Sequence, residues 1–100
     1  MFTDIQSVGR EFIFYVRNNE ELYNKAQWCA NAMVKHHKRG EIMLKSYLVS
    51  CSVVSQITTA ALRMYMKEFG SFKVSKPMRA AIKEEIADYI WDLFNDSKDQ

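Results

Sequence analysis

The sequence is poor in residues that break or cross-link a chain. Its 100 residues include three Gly and one Pro, and this scarcity excludes turn-rich sheet architectures and favours long helices. Two cysteines, Cys29 and Cys51, are too few for a disulfide framework. Each lies in an apolar helical stretch, so we expect both to be small buried side chains.

The chain also lacks a hydrophobic run long enough to cross a membrane. The uncharged stretch over residues 46–62 is rich in Ser and Thr, and it is shorter than the roughly 20 apolar residues that a spanning helix needs. Asp4, Arg10 and Glu11 place charges where a signal peptide would be apolar. We therefore expect a soluble, cytoplasmic protein that binds no membrane.

Motifs with a catalytic mechanism are missing as well. The sequence has no Gly-rich phosphate loop and no nucleophile elbow. Cys29 and His36 share one side of a predicted helix, but they are roughly 10 Å apart along it, too far for one zinc ion. The last predicted helix has an acidic face formed by Glu84, Glu85, Asp88 and Asp92. A di-metal bundle would also need Glu-x-x-His motifs on facing helices, and the sequence has none. We expect no enzyme, no cofactor and no metal site.

Helical periodicity dominates what is present. Helix 1 is predicted to begin at Thr3, where Thr3 and Gln6 match a capping box, and to end at residues 18–19. The run over residues 12–16 also fits a β-strand, and this alternative stays open. Helix 2 is predicted over residues 20–38, with acidic residues at its start, basic residues at its end and Gly40 as its stop.

A long third helix is predicted over residues 41–69, with Gly70 as its stop. It would reach roughly 43 Å, so it must protrude, kink or be covered by a second chain. Its polar stripe is narrow, which is typical of a central helix buried on several sides, and it consists of Lys45, Ser52, Gln56 and Arg63. Ser75 and Pro77 begin helix 4, which ends near residue 95 and leaves residues 95–100 as a frayed tail. The predicted fold is one all-α domain over residues 1–100, with about four helices in an antiparallel bundle around the third helix.

Charge is unevenly distributed along the chain. Residues 1–83 hold 13 Lys and Arg against 6 Asp and Glu, whereas residues 84–100 hold one Lys against six acidic residues. This polarity either holds the domain together or presents two poles to partners. A basic cluster near the end of helix 2 fits phosphate contact, or it is a solvated helix end that complements the helix dipole. Its residues are Lys35, His36, His37, Lys38, Arg39 and, further along, Lys45.

Four aromatic residues fall outside the apolar stripes of their helices. They are Trp28 on helix 2, Trp91 and Phe94 on helix 4, and Phe14 on helix 1. Aromatic rings that face water are common centres of protein interfaces, although a small bundle can also enclose them. The sequence therefore predicts a non-enzymatic module, an adaptor or stoichiometric inhibitor that binds a larger protein or protein–nucleic acid machine, with a homodimer as a further possibility. The alternative prediction is nucleic-acid binding through the basic cluster.

Overall fold

The computed structural model describes the backbone of residues 5–99 and the side chains of residues 9–99, and this part of the chain is all-helical. Five helices follow one another: α1 (Ile5–Arg17), α2 (Glu20–Lys38), α3 (Lys45–Val49), α4 (Ser52–Phe69) and α5 (Lys76–Ser97). The strand alternative for residues 12–16 is wrong because these residues lie within α1. The capping box predicted at Thr3 lies outside the described residues.

Local capping signals set the ends of α2 and α5. The Asn19 side chain accepts a hydrogen bond from the backbone N–H of Leu22, and the Ser75 side chain accepts one from the N–H of Met78. These bonds satisfy backbone donors that have no partner within the helix. Gly40 follows the end of α2 with a φ of 88°, a left-handed conformation that favours glycine. Helix α5 continues to Ser97, through part of the predicted frayed tail.

The predicted third helix is wrong as a continuous element. Residues 40–44 form an irregular connection, α3 is only five residues long, and Ser50 and Cys51 separate it from α4. The Ser50 hydroxyl donates to the carbonyl of Tyr47 at 3.2 Å, and such local bonds compete with helix propagation. The β-branched residues Val49, Val53 and Val54 around the break also have a lower helix propensity.

Helix α5, and not the predicted third helix, is the central element. It contacts each of the other four described helices, and its buried side chains include Ile82, Ile86 and Ile90. Gly9 of α1 lies against α5 so closely that an added Cβ would be 3.1 Å from the carbonyl oxygen of Ala81. Further along α1, the guanidinium of Arg17 lies over the Tyr89 ring, so α1 and α5 run in the same direction.

Candidate binding surfaces

Two of the four predicted anchor residues have exposed rings. Trp28 is 65% exposed and Phe14 is 70% exposed. Helix α2 buries Leu22, Ala26 and Cys29 along one stripe, and the helical period places Trp28 off that stripe. Trp28 lines a shallow hollow of about 350 Å³ whose wall includes Val53 of α4.

The other two predicted anchors lie on α5, and the expectation that Phe94 faces water is wrong. Phe94 is 2% exposed and belongs to the core, whereas Trp91 is half-buried and its ring centroid lies 5.2 Å from that of Phe94. The apolar strip that carries both residues is covered because α5 has neighbours on several sides. As a core residue, Phe94 is not retained as a partner contact.

A further set of exposed apolar side chains lies on the connection between α2 and α4, and we name it the connector surface. Within eight residues, four large hydrophobic side chains are exposed: Ile42 (79%), Leu44 (44%), Tyr47 (63%) and Val49 (42%). Large apolar side chains exposed so close together in the chain are candidates for an interaction site. This surface was not predicted from the sequence, because these residues were assigned to a continuous helix. Their arrangement depends on the break before α4.

The connector surface borders a hollow of about 380 Å³ between the end of α2 and the end of α5. Trp91 and Phe94 meet there with Ile42 and Met43 of the connection. His37, Glu41 and Lys98 also line the hollow, so its aromatic lining is accompanied by charged groups of both signs. The structure thus brings two predicted anchor residues beside the exposed Ile42.

The basic cluster lies at the exposed end of α2, as the sequence predicts, but two of its members have acidic partners. Nδ1 of His36 lies 2.5 Å from a carboxylate oxygen of Glu41, and Lys45 forms an ion pair with Asp88 of α5. The hydrogen bond with Asp88 raises the pKa of Lys45. Lys45 therefore tethers α3 to the central helix, which leaves it less available to phosphate. Lys35, His37, Lys38 and Arg39 are exposed.

A polar groove follows one side of α4, and we name it the α4 groove. It has a volume of about 750 Å³ and is lined by Lys25, Ser50, Ser52, Ser55, Gln56, Thr59, Ala60, Arg63 and Lys83. These lining residues include three basic side chains and no carboxylate. Ser52, Gln56 and Arg63 belong to the polar stripe that the sequence predicted, but Lys25 and Lys83 come from other helices and could not be placed beside it from sequence.

Groups that could hold a metal or act as nucleophiles are not assembled in the described part of the chain. No three His, Cys, Asp or Glu residues come together there in a way that could bind a metal ion. Cys29 is buried, and burial, followed in size by the charge of the nearby Cys51 thiolate, raises its pKa from 9.0 to about 11. A thiol with a raised pKa is a poor nucleophile at neutral pH.

Comparison with known proteins identifies no relative of this chain. The chain matches no protein-family model, no curated protein and no solved structure. None of the described helices has the length and apolar character required to cross a membrane.

Proposed function

We propose that this protein is a non-enzymatic binding module that attaches to a larger protein, as an adaptor or a stoichiometric inhibitor, through the connector surface. The observation that supports this function is the exposure of Ile42, Leu44, Tyr47 and Val49 within eight residues of chain. Exposed apolar area is the main source of free energy for protein association, about 25 cal/mol for each Å² that binding removes from water.

The connector surface is held in place by contacts on both sides of α3. Leu48 is 3% exposed and anchors α3 in the core, while the ion pair between Lys45 and Asp88 links α3 to α5. A surface that is already ordered loses less conformational entropy on binding. The hollow beside Ile42, with Trp91 at its wall, offers a socket for a side chain of the partner.

Trp28 and Phe14 are proposed as secondary contacts, since both rings are exposed but lie on other helices than the connector surface. We further propose that the protein acts in the cytoplasm. A second copy of the chain is an alternative occupant of the connector surface, because a two-fold interface uses the same patch on both subunits.

The proposal is tested by a double variant, Ile42→Ser with Tyr47→Ser, and a matched control, Phe69→Ser. Phe69 is 62% exposed and Tyr47 is 63% exposed, so the two aromatic changes remove similarly exposed rings. The tagged full chain and both variants are used to capture partners from cells of the source organism, with mass spectrometry and quantitative binding to the captured protein. Truncation at the centre of an interface typically costs about 2 kcal/mol or more, or roughly a 30-fold loss of affinity.

We expect the wild-type chain and the Phe69→Ser variant to bind the same protein, and the double variant to lose it. Sedimentation of the three chains distinguishes the homodimer, since only the double variant should then become monomeric. Equal binding by the double variant and the control, with melting temperatures unchanged, would contradict the assignment of the connector surface.

Nucleic-acid binding through the basic cluster remains the second proposed function, supported by the exposure of Lys35, His37, Lys38 and Arg39 at one helix end. Phosphate contacts by these residues predict that affinity for duplex DNA falls with salt at a log–log slope near −0.9 per contact. Affinity that is independent of salt would contradict this alternative.

A further inference from the structure

The lining of the α4 groove combines positive charge with hydrogen-bonding side chains. Lys25, Arg63 and Lys83 line it, and none of the three forms an ion pair within the described residues. Elsewhere, Lys45 has a carboxylate partner. The groove therefore concentrates positive charge that no acidic side chain in its own wall compensates.

Two of the hydroxyl groups in the groove, those of Ser55 and Thr59, accept hydrogen bonds and keep their own protons for a ligand. Nη2 of Arg79 donates to Oγ1 of Thr59 at 2.8 Å and to Oγ of Ser55 at 3.4 Å. A hydroxyl oxygen that accepts from a guanidinium turns its own proton elsewhere. Thr58 shows the usual alternative, since its hydroxyl donates to the Val54 carbonyl at 2.8 Å. No such bond within the described chain is made by the Ser55 or Thr59 hydroxyl, so both can donate to a ligand in the groove.

The groove is long in relation to a single anion. Its lining along α4 runs from Ser52 to Arg63, which at 1.5 Å per residue is about 17 Å. Ala60 is the only apolar residue in its lining, so the groove contains no large apolar side chain that could anchor a protein partner. Repeated phosphate groups fit it better, because Lys, Arg, Ser, Thr and Gln are the side chains that commonly contact phosphate.

Trp28 lies at the edge of this groove. The hollow beside Trp28 shares Lys25 and Gln56 with the groove, so the exposed indole and the basic lining form one continuous surface. Glu21 is the single carboxylate of the hollow, and it lies on the Trp28 side of Lys25. An exposed aromatic ring beside a basic groove is the arrangement with which proteins stack a base and follow the backbone of a single strand.

We propose that the α4 groove binds the phosphate backbone of a short single-stranded nucleic acid, with one base stacked on Trp28. The groove shares no residue with the connector surface or with the basic cluster at the end of α2, and Trp28 is the one residue that the proposed site has in common with the secondary contacts proposed above. The site therefore stands whether or not the proposed protein partner exists. Arg63 and Lys83 contact phosphates, and Arg79 holds the hydroxyls of Ser55 and Thr59 in place.

The test measures binding of a fluorescein-labelled oligothymidylate of about eight nucleotides to the full chain by fluorescence anisotropy. The groove variant is Arg63→Gln with Lys83→Gln. Its control is Lys35→Gln with Lys38→Gln, which removes the same charge from the basic cluster. Each phosphate contact on a single strand contributes about −0.7 to the slope of log affinity against log salt concentration. The loss of two contacts therefore corresponds to roughly a 25-fold loss of affinity at about 0.1 M salt.

We expect this loss of affinity in the groove variant and a loss of less than about threefold in the control. The magnitude of the log–log salt slope should fall by about 1.4 in the groove variant alone. The variant Trp28→Ala should weaken binding by about tenfold without changing the salt slope, because stacking carries no charge. If the groove variant does not fold, as judged by circular dichroism, Lys25→Gln with Arg63→Gln replaces it, since both residues line the same groove.

Several results would overturn the proposal. No binding at about 0.05 M salt removes the site, and an equal or larger loss in the control assigns binding to the basic cluster. Polyglutamate that displaces the oligonucleotide at equal charge concentration points to an acidic protein segment. Pyrophosphate that binds as tightly as the oligonucleotide points to a small-anion site.

Discussion

Truncation of Trp28, Trp91 and Phe94 to alanine should lower the free energy of unfolding in the order of their burial. Phe94 is 2% exposed, so Phe94→Ala removes a packed ring and should destabilise the fold by about 3–5 kcal/mol. Trp28 is 65% exposed, so about one third of the contribution of a buried side chain is at stake, or at most ~1 kcal/mol. Trp91, which is half-buried against Phe94, should fall between them.

Urea denaturation followed by circular dichroism measures this series, with Phe14→Ala as a second exposed control, since Phe14 is 70% exposed. In a domain of this size each kcal/mol corresponds to about 4–8 °C in melting temperature. Phe94→Ala should therefore lower it by about 12 °C or more. If Trp28→Ala cost as much as Phe94→Ala at an unchanged m value, the indole would be packed in the core. The argument that it is available to a ligand would then fail.

Three further predictions concern the helix contact at Gly9 and the buried thiol of Cys29. Gly9→Ala should destabilise the protein by about 1 kcal/mol in urea denaturation, because the new Cβ would lie 2.7 Å from Cγ of Glu85 and 3.1 Å from the Ala81 carbonyl oxygen. In an exposed helix the same substitution stabilises by a similar amount. A gain in stability would show that α1 and α5 separate freely. Iodoacetamide near pH 8, followed by mass spectrometry, should label Cys51 well before Cys29, whose pKa is raised to about 11. Below pH 9.0 both folded and unfolded states keep the Cys29 proton. From pH 9.0 to about 11 only the unfolded state loses it, so unfolding should become easier over that interval, and Cys29→Ala should remove this part of the pH dependence. Equal labelling of the two thiols in the folded protein would contradict the burial of Cys29.

The parts of the fold that depend on neighbouring residues in the chain were predictable from sequence. The bounds of α2 follow from the Asn19 cap and from Gly40, and the start of α5 follows from Ser75 and Pro77. These signals act within one helical turn and need no knowledge of packing. The all-helical class followed in the same way from periodicity.

The break between α3 and α4 was not predictable in this way. Apolar and small residues continue through residues 46–62, so periodicity alone favoured one helix. Tertiary contacts add to the local signals at the break, since Leu48 lies in the core and Lys45 forms an ion pair with Asp88. The connector surface exists because of that break, and for this reason sequence analysis could not find it.

The number of helices that pack around a given helix likewise cannot be predicted from the sequence of that helix. Helix α5 carries apolar residues on two faces, and the second face was predicted to be exposed. Because α5 contacts all the other described helices, Phe94 on that face is buried. Trp28 differs because α2 leaves that side open beside α4.

The uneven charge of the chain allowed two interpretations, internal stabilisation or presentation to partners, and the structure shows internal pairing at one place. At α3, Lys45 pairs with Asp88, and Asp92 and Glu84 add to the field that raises its pKa, so acidic α5 compensates positive charge internally there. Along α4, Arg63 and Lys83 line a groove without any carboxylate. Like charges left together oppose folding through mutual repulsion, and a single acidic residue in the groove would relieve that cost. The groove proposed above to bind nucleic acid keeps its positive charge without a carboxylate in its lining, whereas Lys45 is neutralised within the same chain. This contrast is the reason to test the groove with an external anion.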